Sequence, residues 1–318
     1  MAQIERIVGI DVAKEKADAC IRSLSVRHSS ASTPEGRREL IDWLRVHGVG
    51  KAVMEASGGY ERGWAAALRE AGIEARLVDP KRVRHFAKSA GRLAKNDPID
   101  AEMIAWFAET FCETPGQAHD PEREELQAMV NARAGLVEMR TQILNRGEHG
   151  EPPAVRQAHA AMLKTLAAQL LKLEAAIAAK LKATPRFAAL AEIIESVPGL
   201  ATQAAAALIA MMPELGRVSN KIVAALLGTA PYDDDSGNHR GERHVKGGRR
   251  DLRNLFYMPA LGAATQHNPV LKAFYLRLRA KGKKAKVALV ACMRKLIVIL
   301  NVMVARGEKW DPARHALA

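Results

Sequence analysis

The first hundred residues alternate short apolar runs with amphipathic stretches. Residues 3–12 (QIERIVGIDV) carry an apolar run that ends in Asp11, which predicts a strand. Residues 16–27 (KADACIRSLSVR) alternate well enough to predict a second strand pairing back on the first. In PEGRRELIDWLRVHG, Pro34 opens the segment and Leu40, Ile41 and Leu44 fall on one face, predicting an amphipathic helix that ends near Gly48. KAVMEAS (51–57) predicts a short buried strand, 60–71 a helix, and 74–79 a strand closed by Pro80. Two helical stretches follow, at 80–90 and 98–111. The order β-β-α-β-α-β-α-α predicts a mixed α/β layer with carboxylates at its strand ends.

From about residue 120 the texture changes. Residues 121–182 have almost no strand pattern and are rich in Ala, Leu, Glu, Lys, Gln and Arg, predicting two long helices broken at GEHGEPP (147–153). A long antiparallel pair of this kind suits a spacer or an oligomerisation arm. The remainder, 185–306, predicts helices throughout apart from a loop at 231–248. The expected domains are 1–115, an α/β domain; 116–184, a helical linker; and 185–318, an all-α domain carrying the loop.

Composition adds two constraints. No apolar run reaches the roughly 18 residues a spanning helix needs, and MAQIERIVGID has no basic start followed by an apolar stretch, so neither membrane nor secretion is expected. The three cysteines, Cys20, Cys112 and Cys292, match no zinc spacing and predict reduced, buried thiols in a cytoplasmic protein. Charge is more telling. From Ser236 onward stand 18 Lys+Arg against 4 Asp+Glu, a net of +14 out of the chain's +13, so the rest sums to −1. These charges share segments with apolar periodicity, as in LKAFYLRLRAKGKKAKVALVACMRKLIVIL. That combination predicts a folded basic surface for a polyanion.

The candidate chemistry begins with four acids. Asp11 follows IVGI, Glu55 follows AVM, and Asp97 and Asp100 stand in KNDPIDAEMIA. A carboxylate at the end of a buried strand is costly unless a cation compensates it. Asp97 before Pro98 reads as a helix cap, with Asp100 in the first turn, and Asp-x-x-Asp there is also a plain capping arrangement. Carboxylates brought together would raise one another's pKa values unless a hard cation such as Mg²⁺ held them. Two such ions can serve an in-line phosphoryl displacement. The acid order resembles the ribonuclease-H-like nucleases of the Holliday-junction resolvase (RuvC) type.

Two further segments carry signals. IIESVPGLATQAAAALIAMM (193–212) resembles a helix-hairpin-helix module, in which hairpin N–H groups meet DNA phosphates, although Ala201 stands where a second glycine is usual. A plain helix-turn-helix packing unit fits the same residues. PYDDDSGNHRGERHVKGGRR (231–250) sets a Ser-Gly between an acid cluster and a cation cluster, and a solvated loop is the alternative reading.

Taken in order, GIDVAKEKADA, MEASGGYE, KNDPIDAEMIA, VPGL, LLGTAPYDDDSG and GGRRDLRNLFYMPAL resemble the DEDD-type insertion-sequence transposases of the Piv-like, or IS-one-ten, family, described as bridge-RNA-guided recombinases. The resemblance covers nearly the whole chain. It implies a metal-binding quartet of Asp11, Glu55, Asp97 and Asp100 holding Mg²⁺, two ions per site. It implies Ser236 as a nucleophile that forms a covalent phosphoserine link to DNA, with Gly237 turning the backbone beside it. Arg240, Arg243, Lys246, Arg249, Arg250 and Arg253 would hold phosphates. The family often has Arg or Lys at the position of Pro98. The implied partners are donor and target double-stranded DNA, a structured guide RNA and further copies of the chain, as a dimer or a tetramer on DNA. The implied reaction excises and inserts an insertion sequence. A structure-specific endonuclease using water and two Mg²⁺, with Ser236 structural, is the competing enzyme. A non-enzymatic nucleic-acid scaffold with the acids as caps is the third reading.

Overall fold

The computed structural model describes residues 6–92, 97–111, 120–147, 150–236, 239–241 and 243–315; of Asp97, Pro98, Ser236, His239, Arg240 and His315 it describes the backbone alone. It divides into two compact units, Met1–His119 and Asp120–Ala318.

The first unit is a five-stranded mixed sheet between two helical layers. Its strands are β1 (Arg6–Val12), β2 (Lys16–Ile21), β3 (Val26–Ala31), β4 (Val49–Glu55) and β5 (Glu74–Val78), in the order β3-β2-β1-β4-β5. β1, β2 and β3 are antiparallel neighbours, whereas β4 and β5 run parallel to β1. The helices are α1 (Pro34–Val46), α2 (Glu61–Glu70), α3 (Pro80–Ser89) and α4 (Asp97–Thr110). Pro34 opens the first turn of α1, as the sequence predicts, and Thr33 caps the helix by accepting the Gly36 N–H.

Strand alternation sorts the side chains into two cores. Val8, Ile10 and Val12 of β1 and Ala52 and Met54 of β4 pack with Leu40, Ile41 and Leu44 of α1 and Trp64 and Leu68 of α2. On the opposite face Val53 packs with Val83 of α3 and Met103, Ile104 and Phe107 of α4.

The single strand expected over 16–27 is two strands. A 3₁₀ turn at Arg22–Leu24 and a left-handed Ser25 (φ 55°) reverse the chain, and Val26–Ala31 returns as an edge strand. β3 buries only Ser30, so its apolar pattern is too thin to mark a separate element.

In the second unit α5 (Pro121–Gly147) and α6 (Pro153–Ala183) form the expected helical pair. Ion pairs Arg133–Glu174 (2.6 Å) and Lys180–Glu125 join them antiparallel. Their ends pack with α7 (Pro185–Glu195), α8 (Thr202–Met211), α9 (Asn220–Leu227), α10 (Arg250–Gly262), α11 (Pro269–Ala280) and α12 (Ala285–Arg306) around one core.

Two expectations change here. The helix α12 is long and apolar enough to cross a bilayer by length and composition, although no such run was expected. Arg294, Lys295 and Asn301 interrupt its apolar run in sequence, while ten of its residues, Leu296 and Leu300 among them, are buried in the protein core. The loop at 231–248 also contains regular backbone: Pro231–Tyr232 pairs with His244–Val245, and Asp235–Ser236 with His239–Arg240. Strands of two residues leave no periodicity to read. Cys20 and Cys292 are buried free thiols; Cys112 lies outside the described residues.

Candidate active site

Asp11 and Glu55 occupy equivalent places on neighbouring parallel strands. Ile10 of β1 pairs with Met54 of β4, so each acid is the next residue beyond a matched pair, at the carboxyl end of its strand. Neighbouring strands lie roughly 4.8 Å apart. Alternation turns Asp11 to the same face as Gly9, and Glu55 to the same face as Val53, which is the face that α3 and α4 cover. Both acids are half-buried.

Helix α4 is brought to these strand ends by an unusually close backbone approach. A Cβ on Gly9 would meet the Ala101 carbonyl oxygen and the Ala105 nitrogen, each at 2.3 Å. Glycine is therefore required for the helix to ride directly on β1. Two ion pairs fix its azimuth: Arg22 Nη1 to Glu109 at 2.6 Å and Arg27 Nη2 to Glu102 at 2.5 Å. Asp100, the residue before Ala101, is thereby held at the same edge of the sheet. Glu55 and Asp100 line one cleft of about 300 Å³. The remaining expected acid, Asp97, is the first residue of α4, and its side chain lies outside the described residues.

The segment after Glu55 is also held. The carboxylate of Glu61, which is buried, accepts hydrogen bonds from the Ser57 N–H (3.0 Å), the Ser57 hydroxyl (2.9 Å) and the Gly59 N–H (2.8 Å). Burial works to raise its pKa, but these bonds prevail and hold it below the ordinary carboxylate value. Gly59 has φ 113°, a conformation that glycine alone adopts readily.

Several residues at this edge escape a reading of the sequence. Asp18 of β2 stands directly opposite Asp11 in the antiparallel register and pairs with Lys16 at 2.8 Å. Lys81, Arg84, Lys88 and Arg92 line the cleft with Glu55 and Asp100. Their signal, the run PKRVRHFAKSAGR, is visible in the sequence but vanishes in a net charge summed over the first 235 residues. Among the described residues, no group of three or more His, Cys, Asp or Glu side chains forms a ready metal cage. What the acids offer is a hard oxygen donor set on one face, with Asp97 beside it in sequence, and this suits a divalent cation.

The serine loop belongs to the second unit. Ser236 ends its two-residue strand opposite His239; Gly237 lies outside the described residues. The base of the loop is clamped. A Cβ on Gly248 would stand 2.3 Å from the Gly228 nitrogen, and the Arg249 N–H donates to Leu226 O at 2.7 Å. Arg249 also forks onto Glu214 (2.7 and 2.6 Å) and reaches Met211 O. Arg253 donates to Gly228 O and Gly247 O, and Arg243 pairs with Asp233 at 2.6 Å. Three of the arginines expected to hold phosphates thus make contacts within the protein. Lys246 and Arg250 are exposed, and the Arg240 side chain is outside the described set.

In the hairpin between α7 and α8, Gly199 has φ 96°, and a Cβ on it would lie 2.7 Å from the Ala263 Cα. Its glycine therefore serves close packing inside the unit.

The model of the DEDD transposases of the IS110 type matches residues 8–149, and that of the transposase IS116/IS110/IS902 family matches residues 191–276. Together they cover over two thirds of the chain. The chain is 24% identical over 319 residues to the pilin gene-inverting protein of Moraxella lacunata, across 97% of this chain and 98% of that protein. It is 25% identical over 338 residues to the transposase for insertion sequence element IS1111A of Coxiella burnetii, across 96% and 91% of the two chains. A Streptomyces clavuligerus protein of insertion element IS116 is 34% identical over 125 residues, 39% of this chain and 31% of its own.

Proposed function

The chain belongs to the IS110 family of transposases and is a DNA-recombining enzyme, and from that premise we propose that it cuts and rejoins DNA with a serine nucleophile assisted by divalent cations. The observation that carries this reading is the placing of Asp11 and Glu55 at matched carboxyl ends of two neighbouring parallel strands, with Asp100 lining the same cleft as Glu55. That arrangement also supports a ribonuclease-H-like reading of the first unit.

Asp11, Glu55 and Asp100, with Asp97, would hold magnesium. Bound there, it supplies Lewis-acid stabilisation of charge on the reacting phosphate oxygens. Ser236 attacks the scissile phosphorus. Its Oγ–P bond forms as one P–O bond of the DNA backbone breaks, the serine proton leaves to a base, and the departing DNA oxygen takes up a proton. The phosphodiester energy is kept in the phosphoserine, so a DNA hydroxyl can displace Ser236 and rejoin the strand without a nucleotide cofactor. Clamping the loop base at Gly228 and Gly248 supports this role, because a nucleophile must be delivered in a fixed orientation.

The net +14 of the region from Ser236 onward supports a polyanion partner, which we read as donor and target DNA together with a guide RNA. The hairpin between α7 and α8, whose Gly199 packs against Ala263, is where a helix-hairpin-helix contact to phosphate would fall, through the N–H groups at the start of α8. The long α5–α6 pair supports assembly of two or four copies.

Incubation with an excision substrate and Mg²⁺ tests the reading. A denaturation-resistant protein–DNA adduct is expected in the wild type and lost in both Ser236→Ala and Asp11→Ala. Metal-dependent nicks that persist in Ser236→Ala would instead assign the attack to water.

A further inference from the structure

We infer that the cationic row of α3, Lys81, Arg84 and Lys88, with Arg92 beyond the helix end, seats the DNA backbone phosphates beside the one being cut. The inference rests on the DNA-cleaving reading above and adds positioning residues to it. Four lines of observation carry it.

First, all four cations line the same cleft as Glu55 and Asp100, so they lie beside the acids and not elsewhere on the unit. Second, they outnumber the two lining carboxylates, and α3 contains no acidic residue, so neutralising the acids does not account for them. Third, all four are exposed, and among the described residues none of them is engaged in an ion pair. Arg82, on the same helix, lies over the Phe107 ring at 5.4 Å and shows what a packing role looks like here. Fourth, Lys81, Arg84 and Lys88 are spaced along one side of a helix.

The dimensions suit a phosphate track. At 1.5 Å per residue, Lys81 to Lys88 spans roughly 10 Å, and one strand of B-DNA presents a phosphate about every 3.4 Å of its axis, so the row matches about three phosphates. The end of α3 itself is taken: the Asp79 carboxylate accepts the Lys81 N–H at 2.9 Å. The side chains, rather than the helix terminus, are therefore the binding groups. A strand held on this row lies along the cleft that Glu55 and Asp100 share. The cations thus perform two tasks, offsetting repulsion between the acids and DNA and fixing which phosphate reaches them.

The test is a salt series of duplex binding by the full-length protein, read by fluorescence anisotropy with DNA of arbitrary sequence. For the double variant Arg84→Gln/Lys88→Gln, the slope of log K against log[salt] should fall by about 2, near 0.9 for each phosphate that is no longer neutralised. Adduct yield should fall at limiting DNA and recover at high DNA. Arg84→Gln alone should lose half of the slope change, and Arg84→Lys should keep the wild-type slope. Single-stranded RNA measured in parallel should show no change of slope. An unchanged DNA slope in the double variant overturns the inference, as does a change confined to RNA. Ser236→Ala should keep the wild-type DNA slope. A wild type that forms no adduct would sink the serine mechanism, while the DNA slope still decides the role of α3.

Discussion

Gly9 and Ala101 touch through their main chains: a side chain on Gly9 would stand 2.3 Å from the Ala101 carbonyl oxygen. That contact sets the height of α4 on the sheet. It holds Asp100, one residue before Ala101, against the strand that carries Asp11 two residues beyond Gly9. The candidate site is built by the absence of one methyl group.

Gly9→Ala should therefore lift or tilt α4. Overpacking of this kind costs about 1–3 kcal/mol, to be read as a lower urea midpoint, and activity should fall further than stability does. Gly135→Ala provides the control, since that glycine lies within α5 with nothing in reach of an added Cβ. There the change should stabilise by up to about 1 kcal/mol.

Arg249 and Glu214 form a two-pronged, partly buried ion pair that ties the serine loop to the segment after α8. A double-mutant cycle with Arg249→Gln and Glu214→Gln should give a coupling of about 2 kcal/mol. The salt slope of DNA binding should be unaltered in Arg249→Gln. A fall of about 0.9 would reveal a phosphate contact instead.

Asp120 is held at a pKa of about 2, chiefly by hydrogen bonds from Arg186, with the Arg123 N–H and side chain adding to it. Its folded value lies below the unfolded one, so the stabilisation is fully present above about pH 4 and disappears as pH falls through about 2. Because Arg186 is half exposed, solvent screening reduces the gain to about 1–2 kcal/mol. The difference in urea midpoint between wild type and Asp120→Asn should be constant from pH 7 to about 5 and shrink steadily below about 4.

Much of this architecture is legible in the sequence because burial writes periodicity. Val8, Ile10 and Val12 mark β1, and Leu40, Ile41 and Leu44 mark α1. The acids at the ends of β1 and β4 are legible for the opposite reason, as charges following apolar runs. β3 is hidden because an edge strand buries one serine, and β6 to β9, the four two-residue strands of the serine loop (Pro231–Tyr232, Asp235–Ser236, His239–Arg240 and His244–Val245), are too short for any period. Arg249 and Arg253 read as phosphate ligands because sequence gives their charge but not Glu214, Gly228 or Gly247 beside them. The α3 cations are masked by averaging, since acids elsewhere in the first unit cancel them in a sum over the whole unit.

Mass spectrometry of the protein–DNA adduct after protease and nuclease digestion locates the covalent link directly. A nucleotide phosphate is expected on the peptide containing Ser236, formed with Mg²⁺ and absent when Asp11 or Glu55 is replaced by Ala. An adduct mapped to another residue, or one formed undiminished without those carboxylates, would contradict the proposed mechanism.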